Sequence, residues 1–220
     1  MLLKDYKYYF LLIVILKCSI FCNAQITPAN IVYIQNFGQG TSEPNIVGPP
    51  ISRGFTDFTY SNSVCSPAGS YSLVWATPRP AQSCFGREWI FLTHDHEMNP
   101  LLDFGMMMLV NDTSSPINRI VYVDTVTKNF CADVNYHFSF SAINIDNRAQ
   151  CTYGDDNPVF EFRIEDGNGQ LIKKDTTRPG VPYAAAKFFH SYGFDFTIPN
   201  GVTTLVPKVT CVWKILPLMT

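Results

Sequence analysis

Apolar residues recur at every second position along most of this chain. Phe160, Phe162 and Ile164 alternate with Glu161, Arg163 and Glu165, and after Asp166-Gly-Asn-Gly169 the chain resumes over 170–174. Two such runs around a Gly/Asn turn predict a β-hairpin. Over 134–145, Tyr136, Phe138 and Phe140 stand against His137, Ser139 and Ser141. Further on, Tyr192, Phe194, Phe196 and Ile198 alternate with Gly193, Asp195 and Thr197. Leu205, Val209, Cys211, Trp213 and Ile215 predict another strand, weakened at its start by Pro207. Earlier strands are predicted at 31–37, 55–60, 71–76, 89–93, 106–111 and 120–126. Beyond residue 24 no window of a dozen residues carries the helical period; 184–189 is mildly helical and too short. About ten antiparallel strands, punctuated by Pro, Gly, Asn and Ser, predict an all-β sandwich, more specifically a jelly roll. Irregular loops are expected at 38–54, 97–104 and 146–158.

The first 24 residues break this pattern. A short basic start (Lys4, Lys7) leads into an apolar run over 8–16, closed by Lys17, and Cys22-Asn23-Ala24 ends in a small residue. These are the parts of a secretory signal peptide cleaved after Ala24, a helical leader ahead of the β-domain at 25–220. A membrane anchor fits less well, because a spanning helix needs about 20 apolar residues. A lipid-anchored Cys22 fits poorly too, since Ser19-Ile20-Phe21 lacks the small residues expected before it. The expected address is secreted or outer cell surface, with no stable membrane span after cleavage.

Charge narrows the partners. The leader carries Lys4, Lys7, Lys17 and Asp5, so 13 of the 16 basic and 17 of the 18 acidic residues remain beyond it, a formal charge of −4. No basic stripe appears, which argues against nucleic acid. Five cysteines follow the leader: Cys65, Cys84, Cys131, Cys151 and Cys211. None sits at CxxC spacing, and outside the cytoplasm they tend to oxidise. Sequential pairing, Cys65–Cys84 and Cys131–Cys151, is the simplest arrangement and leaves Cys211 over.

Several short pieces, taken in order, resemble a known family. They are Asn36-Phe-Gly-Gln-Gly40, Tyr60, Cys65, Gly69-Ser-Tyr71, Cys84-Phe-Gly86, Trp89, Asp95-His96 and Met106-Met-Met-Leu-Val-Asn111. Phe130-Cys131, Tyr136-His-Phe138, Ala142-Ile-Asn144, Pro158-Val-Phe-Glu-Phe-Arg-Ile-Glu165 and Tyr192 to Gly201 follow. Over about 31–206 the chain resembles the N-terminal, galactose-binding-like jelly-roll module of large secreted Bacteroidota surface proteins associated with gliding motility and type IX secretion. The resemblance implies a surface-binding role, with a glycan or extracellular matrix polymer as partner. Such modules close with a Cys-Gly-Asn-Asp-like loop and an acidic last strand. Here the chain ends Thr210-Cys-Val-Trp-Lys-Ile-Leu-Pro-Leu-Met-Thr220, so a C-terminally truncated or frameshifted module is expected.

Candidate chemistry lies in the loops. Aromatic rings cover the apolar faces of sugars while polar neighbours bond the hydroxyls. Trp75, Trp89, Tyr153 and Tyr183 offer such rings; Trp75, among apolar neighbours, reads as core. The expected binding set is Trp89 with Arg87 and His96, and Tyr153 in a polar loop. His94 and His96 share a strand face, yet no HExxH or zinc spacing accompanies them. Asp95, Asp103 and Asn111 flank one oxygen-rich loop and are the candidate ligands of a structural calcium. A glycosidase needs two carboxylates about 5–10 Å apart; Glu161 and Glu165 share one strand face about 13 Å apart by strand rise and read as solvent-exposed. No GxSxG or Cys–His signature is present. The reading is a non-catalytic binding module. The alternatives are a spacer or cap without a ligand, and a degenerate carbohydrate-active enzyme.

Overall fold

The structure is a computed structural model, and its described residues are 32–35, 37, 46–77, 84, 89–92, 105–112, 118–146, 157–183 and 188–212. By chain contacts, Gln35 onwards forms a unit separate from Met1–Ile34. Every named element among the described residues is a strand: β1 Thr59–Tyr60, β2 Ser70–Val74, β3 Met107–Asn111, β4 Arg119–Val123, β5 Val126–Thr127, β6 Asn135–Ala142, β7 Val159–Asp166, β8 Leu171–Thr176, β9 His190–Thr197 and β10 Thr204–Val212. The protein is an all-β sandwich. Trp89, expected in a strand over 89–93, makes only an isolated bridge to Asp146.

β10 is the organising strand. It pairs antiparallel with β7 along Leu205–Val212, and on its other side with β5 and then β4. β8 completes this sheet beyond β7. The last described strand thus lies between β4 and β7, a crossing connectivity of the kind Greek-key and jelly-roll sandwiches use. Pro207 is accommodated because it falls where the neighbour changes from β5 to β4. No ladder donor is needed at that gap, and the Pro207 carbonyl still accepts from Asp124 N at 3.2 Å.

β6 and β9 pair with each other from Asn135↔Thr197 to Ala142↔His190 and form the opposing layer. Alternation sends Tyr136, Phe138 and Phe140, with Tyr192, Phe194 and Phe196, toward β7 and β10. There they meet Phe162, Ile164, Ile198 and Leu205. Phe162 and Phe194 stack at 5.4 Å between centroids, and Phe140 meets Phe162 edge-on at 5.1 Å. Such offset-stacked and edge-to-face pairs add about 0.5–1.5 kcal/mol each to their area burial. On the far face of β7, Arg163 pairs with Glu165 at 2.9 Å, and Glu161 takes Lys174 of β8 at 3.3 Å.

The remaining half is built on β2 and β3, antiparallel, with β1 parallel to β2, a departure from the all-antiparallel expectation. All five residues of β2 are buried. Leu73 joins Phe58, Tyr71 and Met106 on one side, and Val74 joins Leu92, Met107 and Leu109 on the other. Tyrosine hydroxyls pin the segment ahead of β1: Tyr60 donates to the Gly48 carbonyl at 2.6 Å, and Ile51 N donates to Tyr71 Oη at 3.1 Å. That segment then lies on the open edge of β4, through Phe55 with Val123 and Asp57 with Ile120. Arg53 Nε locks it to the buried Asp124 carboxylate at 2.6 Å.

Candidate functional site

Trp89 is half-buried and packs against the cluster of Val74, Leu92, Met107 and Leu109. Its expected companions Arg87, His96 and Tyr153 lie outside the described residues, as do Asp95 and Asp103 of the candidate calcium set. Asn111 of that set ends β3, and its amide nitrogen donates to the Ser66 carbonyl at 2.8 Å. It ties the turn before β2 to β3 and leaves its amide oxygen as its one side-chain ligand atom. No group of three or more His, Cys, Asp or Glu among the described residues comes together as a metal site.

The first expected disulfide, Cys65–Cys84, is formed, with Cα atoms 5.2 Å apart. The expected Cys131–Cys151 bridge requires correction at its described end: Cys131 is a free, exposed cysteine. Its turn is held by other means. Cys131 N donates to Tyr136 Oη at 2.9 Å, and the Tyr136 ring packs against Phe130 and Phe196 of the aromatic core. Cys151 lies outside the described residues. Cys211, the leftover of the sequence pairing, is a free cysteine opposite Phe160 in β10. Burial and the neighbouring Asp112 push its thiol up to about 12, so it is a protonated thiol at neutral pH.

The polar side of β6 and β9 holds the most organised surface chemistry among the described residues. Period two puts Asn135, His137, Ser139 and Ser141 on the face away from the core. Pairing sets them opposite Thr197, Asp195, Gly193 and Ser191. His137 Nδ1 and Asp195 Oδ1 are 2.7 Å apart, with both side chains about 60% exposed at 61% and 63%. The Asn135 side chain also stands close enough to favour the ionised Asp195 carboxylate. Above all the His137 hydrogen bond, then the His137 charge, the Asn135 amide and the Lys173 charge, hold that carboxyl below the usual 3.8 against a desolvation cost. An ionised carboxylate only accepts, so Nδ1 carries the imidazole proton and Nε2 faces Gly193. A Cβ there would come within 3.0 Å of both His137 Nε2 and Ser139 Cβ, and would overlap the Phe138 carbonyl. Glycine is what lets the imidazole lie across the strand pair.

A β-bulge in the facing edge strand completes the site. Ile164 pairs with Lys173 and Glu165 with Leu171, so Ile172 is the extra residue of β8. Bulges re-aim side chains. Here Ile172 and Lys173 both reach the seam between β8 and β9. Lys173 Nζ donates to the Asp195 main-chain carbonyl at 2.8 Å and stands 5.7 Å from the centre of the Phe194 ring. The resulting groove, about 260 Å³, is lined by Asn135, Ile172, Lys173, Asp195, Phe196 and Thr197. It combines an apolar floor with a fixed carboxylate, an ammonium and an amide. Both polar rows were visible in the sequence as alternation. Their meeting, and the turn of Lys173 toward them, were not.

No protein family model matches this chain, and no curated protein sequence matches it either. Among the described residues no helix is long and apolar enough to cross a membrane.

Proposed function

We propose that this chain is a secreted or cell-surface, non-catalytic binding module that holds a glycan or extracellular matrix polymer, as part of an adhesin-like protein of the Bacteroidota type described above. The observation that carries the reading is the groove between β8 and β9. It sets a preorganised Asp195 carboxylate, the Asn135 amide and the Lys173 ammonium beside the apolar Ile172 and Phe196. Sugars need that mixture, because each ring has apolar C–H faces and a rim of hydroxyls that donate and accept. The leader pattern of residues 1–24 and the Cys65–Cys84 bridge support an oxidising, extracytoplasmic setting. A glycan array probed with the exported, disulfide-intact protein tests it. Saturable binding to at least one polysaccharide is expected; silence across the array, with and without calcium, would sink the reading.

One observation favours the spacer alternative. Trp89, the ring expected to stack on a sugar, spends much of its surface on the core cluster around Val74. Under that alternative, substituting groove residues changes no binding property of the full-length protein.

A further inference from the structure

The chemistry of the groove also selects a ligand class. Asp195 brings one negative charge to its lining and Lys173 one positive; Asn135, Ile172, Phe196 and Thr197 bring none. A polyuronate or sulfated chain would set its anions against Asp195. A polyamine sugar would set its cations against Lys173. An uncharged sugar satisfies both, because a hydroxyl donates to a carboxylate and accepts from an ammonium. Capacity remains at each group: Lys173 spends one donor on the Asp195 carbonyl, and Asp195 Oδ1 takes His137. The carboxylate is already ionised and oriented, so a ligand need not pay to arrange it.

The groove opens onto the polar strip of β6 and β9. From Asn135 and Thr197 the strip runs to Ser141 and Ser191, about 20 Å by strand rise. Beyond His137 its side chains are Ser139, Ser141, Ser191 and the bare Gly193, a low surface with hydroxyls and no further charge. Ser141 and Ser191 already bridge the two strands at 3.3 Å. A monosaccharide would fill the groove and leave the strip unused.

We propose that the groove and the strip together take an uncharged, linear oligosaccharide. One ring sits in the groove with its hydroxyls on Asp195, Asn135 and Lys173, and the chain continues over Gly193 and the serines. This proposal rests on the glycan-binding reading above. The test is calorimetry on the full exported chain with neutral gluco-, manno- and galacto-oligosaccharides of increasing length. Oligogalacturonate and chitosan oligomers serve as charged counterparts. Expected is binding to at least one neutral series, with affinity rising with length. D195N should weaken it about tenfold or more, the loss of a hydrogen bond to a charged group, and N135A about threefold to tenfold, the loss of a neutral one, while C131S leaves it unchanged. Neutral-glycan binding that D195N and N135A both leave intact would overturn the groove assignment and spare the glycan reading. Binding to charged oligomers alone would overturn the ligand class. No binding to any oligomer would overturn the glycan reading itself. Because Asp195 and Asn135 are exposed, both variants keep the core, and unchanged thermal melts verify that.

Discussion

The two halves of this sandwich are stabilised by different means. Between β7, β10 and the β6–β9 pair, long strands bring phenylalanines and tyrosines into one continuous stack centred on Phe162, which is 2% exposed. Around β2 and β3 the strands are five residues each, and the core divides into two smaller clusters on either side of β2. There the chain relies on point fastenings: the Cys65–Cys84 disulfide, the hydroxyls of Tyr60 and Tyr71, and Thr77. Thr77 Oγ1 donates to the Ile90 carbonyl at 2.8 Å and accepts from Leu92 N at 2.6 Å. The contrast teaches where a ligand site can sit. The aromatic half buries its rings on its inner face, and its outer face carries the polar Asp195, His137 and Asn135.

If the aromatic stack carries its half, Phe162→Ala should produce the largest loss, about 3–5 kcal/mol by chemical denaturation, from lost burial plus an unfilled cavity. A loss below about 1 kcal/mol would break the comparison. Removing the disulfide with the double change Cys65→Ser, Cys84→Ser should cost about 3 kcal/mol by the chain-entropy estimate for a loop of 19 residues. Hydrogen exchange should quicken in β2 and β3 and stay slow in β7, β9 and β10. Uniform quickening would show that the halves are not separately held. Thr77→Val keeps the shape and removes both hydrogen bonds, leaving a buried Leu92 N–H unpaired; about 1–3 kcal/mol is expected by thermal melt.

The smallest effect on stability belongs to the outer face. Asp195 is lowered in the fold, so its contribution is complete above its ordinary value and lost as pH falls through its folded value. Glycan binding should therefore survive acidification to the ordinary carboxylate value of 3.8 and fail below it. D195N should melt like the parent. A melting temperature that drops sharply with D195N would make this pair structural and blur the distinction between the two faces.

Much of the framework was legible as local pattern. Alternation at 134–145, 160–165 and 192–198 marks β6, β7 and β9 and tells which residues face inward, because a strand sends successive side chains to opposite sides whatever it pairs with. The 170–174 run marks β8 but conceals its bulge, which turns Lys173 from a solvent position into the seam. Pro207 counted against its strand and is accommodated by a gap between two partners that no local signal announces. Cys65–Cys84 was readable by proximity along the chain. Cys131 shows the limit of that rule: it is free, and the hydroxyl of Tyr136 accepts from its main-chain N–H.

Composition and period were therefore enough for the class of fold and for the division of each strand into a core row and a polar row, since both follow from side-chain transfer to water and backbone geometry. Pairing required the folded molecule. His137 and Asp195 are separated by 58 positions, and only the register of β6 on β9 sets them 2.7 Å apart. Lys173 reaches the same place through the bulge of a third strand. Register is decided by the sum of inward contacts across the whole sandwich, so the site it creates on the outside exists in no single segment of the chain.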